Sequence, residues 1–490
     1  MEAAEREILI VGWDIDSAVE LIRDESHPLY PSPLAATLQS LVERKPSLEV
    51  RVLSWDFAMV YVLERELLPA YRFGWKDSER LHFHLDGEHA TGASHHQKFV
   101  VIDGELAFVG GFDLTKSRWD SREHAANDPR RVNSDGEAYR PFHDVQAIVS
   151  GETAQQLREL GAFRWRNATG KALPHLDEAQ GNPAEESWPK SVPVRASDVP
   201  ACLARTWAEP DGCQVTQEVE HLFRDMIAAA KDSIYIENQY FTSDVIANAL
   251  SDRLDEEDGP EVVLVLPAET SGWLEQLTME VLRNKALHRL CSADKHQRLE
   301  ILAPFSKELG DTTINVHSKV MIVDDRWARI GSANLSGRSM GLDSECDLVI
   351  DDKGGSVAAE LRADLLAEHL GTDAESVAES IAEHGLLAAI REHQGRKRTL
   401  RRLDIEPADY EDAVEPLAHI ADLEKPIESK QKQSSQSGES GLLRVLTSRA
   451  TGRLFLAALL LAVFLSRAIA HPLRRLVAET ERIRQLDLRD

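Results

Sequence analysis

Two stretches of this sequence carry the same polar residues at the same spacing. The first holds His96, Lys98 and Asp103, followed by Gly110, Gly111, Phe112 and Asp113. The second holds His317, Lys319 and Asp324, followed by Gly331, Ser332, Ala333 and Asn334. Each member of the second set lies 221 positions after its counterpart in the first. One such set is a weak signal; two in register are a strong one. Side chains alternate along a strand, so His96 and Lys98 face one way and Gln97 the other. Each pair therefore offers a base beside a cation. Lysine is not a common metal ligand, and the adjacent His95 and His96 point apart, so no metal site is read here.

Two such pairs meeting in one cleft suit a phosphodiester. The lysines neutralise the phosphoryl oxygens, most usefully as charge builds in the pentacovalent transition state. One neutral imidazole can attack phosphorus and form a phosphohistidine. The other, protonated, can donate to the leaving alkoxide. No metal or other cofactor is then needed. The Gly-Ser-Ala-Asn turn lets backbone approach the phosphate, and Asn334 offers an amide N–H. An attacking histidine must be held in one tautomer, which a carboxylate on its far nitrogen achieves. The candidates are Asp144 in FHDV and Glu345 in DSEC, at matching places in the two halves. Asp103 and Asp324 end their strands before a turn and are expected to bond backbone or the neighbouring lobe rather than carry protons.

The elements that must position these groups also repeat. EILIVGWD (7–14) matches SIYIENQYF (233–241), and LEVRVLSWD (48–56) matches PEVVLVLPAE (260–269). FVVIDGELAFVGGFDL (99–114) matches VMIVDDRWARIGSANL (320–335), and FHDVQAIVSG (142–151) matches SECDLVIDD (344–352). FVVI is β-branched and aromatic and closes on Asp-Gly, which predicts a buried strand entering a turn. Helical stretches such as 33–44 and 217–232 alternate with these strands. The pattern predicts two α/β lobes of one design, each a mixed sheet flanked by helices, over 1–170 and 195–370. A proline-rich linker (171–194) joins them, and a helical extension (371–425) and a disordered segment (426–441) follow.

Among 490 residues the net charge is −27, which argues against a general nucleic-acid binder. Cys202, Cys213, Cys291 and Cys346 show neither zinc nor disulfide spacing and read as buried thiols. Asp14, Asp16 and Asp56 sit at strand ends, where they cap turns or meet a substrate head group. Trp13, Trp55, Trp75 and Trp119 are core residues or line an acyl groove.

These residues resemble the phospholipase D superfamily, whose signature is H-x-K-x4-D in two copies. SHHQK, GGFDL, RPFHDV, IYIENQYF and NLSGRSMGLDSE are similar to its lipid-cleaving, eukaryote-like branch. The resemblance covers both lobes and implies a site at their interface, toward which the strand carrying Tyr240 and Phe241 heads. It makes His96, Lys98, Asp103, His317, Lys319 and Asp324 the catalytic motif residues, His96 the nucleophile and His317 the general acid. Lys98, Lys319 and Asn334 would hold phosphate, with Asp144 and Glu345 behind the histidines. Asp113 departs from the asparagine often found there and is read as a structural bond. RSMGLDSE is two residues shorter than the branch's usual form, and no lipid-targeting module is recognised ahead of the lobes. The expected substrate is a membrane glycerophospholipid, hydrolysed to phosphatidic acid. Transfer of cardiolipin-synthase type, nucleic-acid cleavage and a non-catalytic membrane scaffold are the alternatives. A repeat within one chain completes the site, so no oligomer is required.

Leu454–Leu465 is an apolar run of twelve residues. Twelve helical residues span about 18 Å against about 30 Å of hydrocarbon. Flanking residues, with Arg453 and Arg467 snorkelling, extend it to a marginal membrane helix over 450–470. The acidic N-terminus shows no secretory leader, so the expected location is the cytoplasmic face of a bacterial membrane, anchored C-terminally. HPLRRLVAETERIRQLDL (471–488) resembles the first helix of a HAMP linker.

Overall fold

The computed structural model describes residues 1–23, 30–56, 79–176, 188–212, 214–269, 273–310, 312–354, 356–395, 397–405 and 422–426. The chain divides into two units, Met1–Ile427 and Glu428–Asp490, and all described residues belong to the first. Trp75, Cys213, the apolar run and the HAMP-like segment lie outside them. Among the described residues no helix is long and apolar enough to cross a membrane.

The strands are β1 (Glu7–Gly12), β2 (Glu49–Trp55), β3 (Leu81–Asp86), β4 (Phe99–Ile102), β5 (Leu106–Gly110), β6 (Phe142–His143), β7 (Gln146–Ser150), β8 (Ala201–Ala208), β9 (Val215–Gln217), β10 (Ser233–Glu237), β11 (Glu261–Val265), β12 (Leu299–Ser306), β13 (Asn315–Val316), β14 (Val320–Val323), β15 (Trp327–Gly331), β16 (Glu345–Asp351) and β17 (Arg398–Arg402). The helices are α1 (Leu34–Arg44), α2 (Glu152–Thr169), α3 (Glu218–Ala229), α4 (Asp244–Asp255), α5 (Trp273–Ala293), α6 (Gly337–Gly341), α7 (Ser356–Leu370), α8 (Ala374–His384) and α9 (Leu386–Glu392).

One sheet runs β3-β2-β1-β4-β5-β7, and the other contains β12-β11-β10-β14-β15-β16 in the same relative order. In each, the first three strands are parallel and the fourth turns antiparallel. Strands buried on both faces read as continuous apolar runs. Accordingly Ile8 and Ile10 pack toward α1, while Leu9 and Val11 pack toward α2. In the second lobe Ile234 and Ile236 face α3 and α4, and Tyr235 faces α7. Cys346 and Leu348 of β16 share a core with Leu9, Val11 and Phe99. An apolar core thus spans the two lobes and fixes their relative placement.

The extension over 371–425 is not purely helical. β17 pairs with the edge strand β12, because Leu400 alternates into the core and Arg402 meets Glu300. Cys202 and Cys291 are exposed; only Cys346 is buried among the described cysteines.

Candidate active site

The motif lysines begin where their strands begin: Lys98 precedes β4 and Lys319 precedes β14. The residues just before them are held by the other lobe. β13 pairs in parallel with β6, and the His317 N–H donates to the His143 carbonyl at 2.8 Å. In the mirrored arrangement His95 bridges Ser344, and the His96 N–H donates to the Ser344 carbonyl at 2.9 Å. Each motif histidine is thus fastened to the residue that precedes the opposite lobe's carboxylate.

The carboxylates complete the exchange. His96 Nδ1 lies 3.0 Å from Glu345 Oε2, and His317 Nδ1 lies 2.8 Å from Asp144 Oδ2. Among the described residues neither Nε2 makes a hydrogen bond, so Nε2 is the ring atom left for a substrate. The sequence located both carboxylates but could not say that each serves the histidine of the other lobe. Gly111 makes room for one of these pairs. A Cβ there would sit 2.6 Å from Asp144 Oδ1 and 3.0 Å from Lys319 Cδ.

The two pairs differ electrostatically. Glu345 also accepts the hydroxyls of Ser332 at 2.5 Å and Ser339 at 2.6 Å. Burial pushes it up, but His96, Lys98 and Ser332 outweigh burial and hold it at about 2. Asp144 lacks such support, and burial lifts it to about 6 against the pull of Lys319. Burial and the charges of Lys319, Arg118, Lys98 and His96 hold His317 well below its ordinary value. Lys319 Nζ donates to the His317 carbonyl and to Gln239 Oε1. Lys98 Nζ donates to the His96 carbonyl at 2.9 Å and pairs with Asp113 at 3.2 Å.

Burial draws Lys319 down to about 7, Asp144 opposes this and Lys98 adds to it. An anion between the lysines removes part of that penalty, so bound Lys319 titrates higher than free Lys319. From about pH 7 upward the complex therefore holds more protons than the free site. Binding of a non-hydrolysable phosphonate monoester at pH 8 is expected to take up about one proton and to weaken as pH rises. Calorimetry in buffers of different ionisation heat reads this directly; proton release, or an affinity flat from pH 7 to 9, would contradict it.

Other candidates have structural duties. Asp103 accepts the N–H groups of Glu5, Arg6 and Glu7, and Asp324 those of Lys231, Asp232 and Ser233. Both adopt positive φ, 54° and 52°, at the turn beyond their strands. These motif aspartates anchor the start of β1 and β10 and do not join the histidine cluster. Asp113 accepts the Trp13 N–H at 2.9 Å while pairing with Lys98, the structural bond expected of it. Asn334 is buried, with its backbone N–H on Ser339 Oγ, and among the described residues its Oδ1 has no partner. Asp14 accepts Thr115, Asp16 accepts Ser134, and Asp56 meets His89.

The aromatic candidates divide. Trp13 lies 6.3 Å from His96, ring to ring, and stacks with Trp55. Trp119 is flanked by the guanidinium groups of Arg23 and Arg130. Phe241 does not face the site; it is in the core, where its backbone bridges Leu335. Sequence reasoning missed Arg118, whose charge acts on His317, Asp144 and Lys319, and it missed Gln239. It also missed Glu237, a carboxylate closing an apolar run, the one visible sign of a buried polar role.

A family model described as "Phospholipase D" matches residues 74–252, and one described as "Cardiolipin synthase, PLD-like domain" matches 223–368. The chain is 25% identical to phospholipase D A of Dictyostelium discoideum over 446 residues, covering 76% of this chain and 33% of that protein. It is 26% identical to the probable cardiolipin synthase YwiE of Bacillus subtilis over 259 residues, covering 52% of this chain and 42% of that protein. Across the leading curated relatives the chain spans from 22% to 62% of their length. Among solved structures, phosphatidylserine synthase of Haemophilus influenzae matches with a TM-score of 0.48 at 16% identity, over 85% of this chain and 88% of that one.

Proposed function

We propose that this chain, which belongs to the phospholipase D superfamily, cleaves the head-group phosphodiester of membrane glycerophospholipids to phosphatidic acid through a phosphohistidine at His96. The observation that carries the reading is the crossed wiring: two imidazoles, each with Nδ1 committed to the other lobe's buried carboxylate, beside two buried lysines. His96 Nε2 attacks phosphorus, forming a P–N bond as the P–O bond to the head group breaks. Protonated His317 gives its Nε2 proton to the departing alkoxide. Water then attacks phosphorus, His317 takes its proton, and the P–N bond breaks to free His96. Lys98 and Lys319 offset the charge on the phosphoryl oxygens. Glu345, held ionised, suits His96 to the nucleophile's part, because it keeps the proton on Nδ1 and the lone pair on Nε2. His317, depressed in the empty site, gains its proton together with the anionic substrate.

A lipid substrate is favoured by the branch-like stretches around both motifs and by a net charge of −27, which disfavours polyanionic nucleic acid. Attachment through Leu454–Leu465 at the cytoplasmic face would keep such an enzyme at its substrate. The cardiolipin-synthase description of the match to 223–368 favours a second reading, in which the phosphatidyl group passes to an alcohol.

The test incubates the full chain with mixed phospholipid vesicles in water containing ethanol and reads products by mass spectrometry. Phosphatidic acid with phosphatidylethanol, unchanged by EDTA, is the expected result. Cardiolipin formed from phosphatidylglycerol without phosphatidic acid would establish the transferase. Untouched lipids with EDTA-resistant cleavage of an oligonucleotide would overturn both.

A further inference from the structure

Behind His317 lies a buried chain of acids and imidazoles that the reaction as described does not use. Glu237, fully buried at the end of β10, accepts four donors. These are His143 Nε2 at 2.7 Å, Ser318 Oγ at 2.7 Å, Tyr235 Oη at 2.6 Å and His369 Nε2 at 3.0 Å. The other nitrogen of His143 meets Glu368 Oε1 at 2.7 Å. Glu368 also meets His124, and His124 meets Asp120, whose carboxylate holds the Phe142 N–H of β6. The donor atoms of His143, Glu237 and His369 lie within 4.8 Å of one another. Both nitrogens of His143, however, already meet carboxylate oxygens at proton-sharing distance, which leaves no lone pair for a cation.

The position of this chain is what matters. His143 precedes Asp144, the partner of His317, and its carbonyl takes the His317 N–H. Ser318 follows His317. Glu237 therefore grips, through one oxygen, the neighbour of the acid and the neighbour of the acid's carboxylate, which come from opposite lobes. Burial works against a charged His143, but Glu237 and Glu368 lift it well above its usual range. The neighbours of His96 are held differently: Gln97 accepts from Arg164, which Asp86 pairs, and donates to the Glu345 carbonyl, while Asp86 also meets His95.

We infer that His143, clamped at both ring nitrogens by Glu237 and Glu368, is a positioning residue that sets the His317–Asp144 pair against the leaving group. The inference rests on the proposed role of His317 as the acid. It predicts a selective defect. An alkyl head group leaves as a basic alkoxide and needs a well-placed proton; a nitrophenolate does not.

The experiment compares full-length Glu237→Gln and His143→Gln with the unaltered chain on phosphatidylcholine and on bis(p-nitrophenyl) phosphate. The amide at 237 can turn its NH2 toward Tyr235 and His369, both able to accept, so the variant keeps its shape and loses the charge. The expected result is a fall of about 10- to 100-fold in kcat on the alkyl ester, the range usual for lost outer partners. The rate of the nitrophenolate burst on the aryl ester, which precedes the water step that His317 also serves, should stay within about twofold. Equal falls in the alkyl-ester kcat and the aryl-ester burst rate, or none in either, would overturn the inference. His317→Ala is the control: if it shows no leaving-group bias, the acid assignment fails rather than the clamp. If Glu237→Gln does not fold, Glu368→Gln on the far nitrogen of His143 asks the same question.

Discussion

Replacing His96 with alanine is expected to abolish turnover of every substrate, alkyl or aryl, by about 10⁴-fold or more, as removal of a nucleophile does elsewhere. The loss has no leaving-group dependence, because no P–N bond can form. Folding should survive. The imidazole is only partly enclosed, and Glu345 keeps the hydroxyls of Ser332 and Ser339. Circular dichroism and a melting curve beside the rate separate the two effects. Turnover near that of the unaltered chain would remove His96 from the mechanism.

His317→Ala is expected to behave differently. Loss of a general acid costs about 10²- to 10⁴-fold on a phospholipid. An aryl diester should still phosphorylate His96, since its leaving group departs without a proton. The second half-reaction should then slow, because the group that gave the proton is the one that deprotonates water. A burst of nitrophenolate followed by a slow steady state is the expected trace. A variant equally impaired on both substrates, without a burst, would show that His317 does something other than proton transfer.

Much of this architecture was legible because it is written twice. The constant spacing of the two motifs, the strand-turn-strand around each and the matched carboxylates at Asp144 and Glu345 are local patterns, and the two sheets repeat their strand order. The β-branched and aromatic run FVVI, closed by Asp-Gly, marked β4 to the residue. Which carboxylate meets which histidine was not legible. The exchange depends on two short parallel pairings between lobes, and nothing in either stretch specifies its distant partner. Glu237 was hidden for a related reason: three of its four partners lie 81 or more positions away. Phe241 was misplaced because the chain leaves β10 toward the core rather than the cleft, and β17 because one buried leucine among arginines carries little strand signal. Even the motif aspartates belong to the fold, holding the first turn of each lobe's central strand.

The most direct test of the central claim is the mass of full-length His317→Ala after brief incubation with bis(p-nitrophenyl) phosphate, followed by peptide mapping. A covalent nitrophenylphosphoryl adduct on His96, absent from the His96→Ala/His317→Ala double variant, is the predicted result. Nitrophenolate release without any adduct, or an adduct on another residue, would contradict a phosphohistidine at His96.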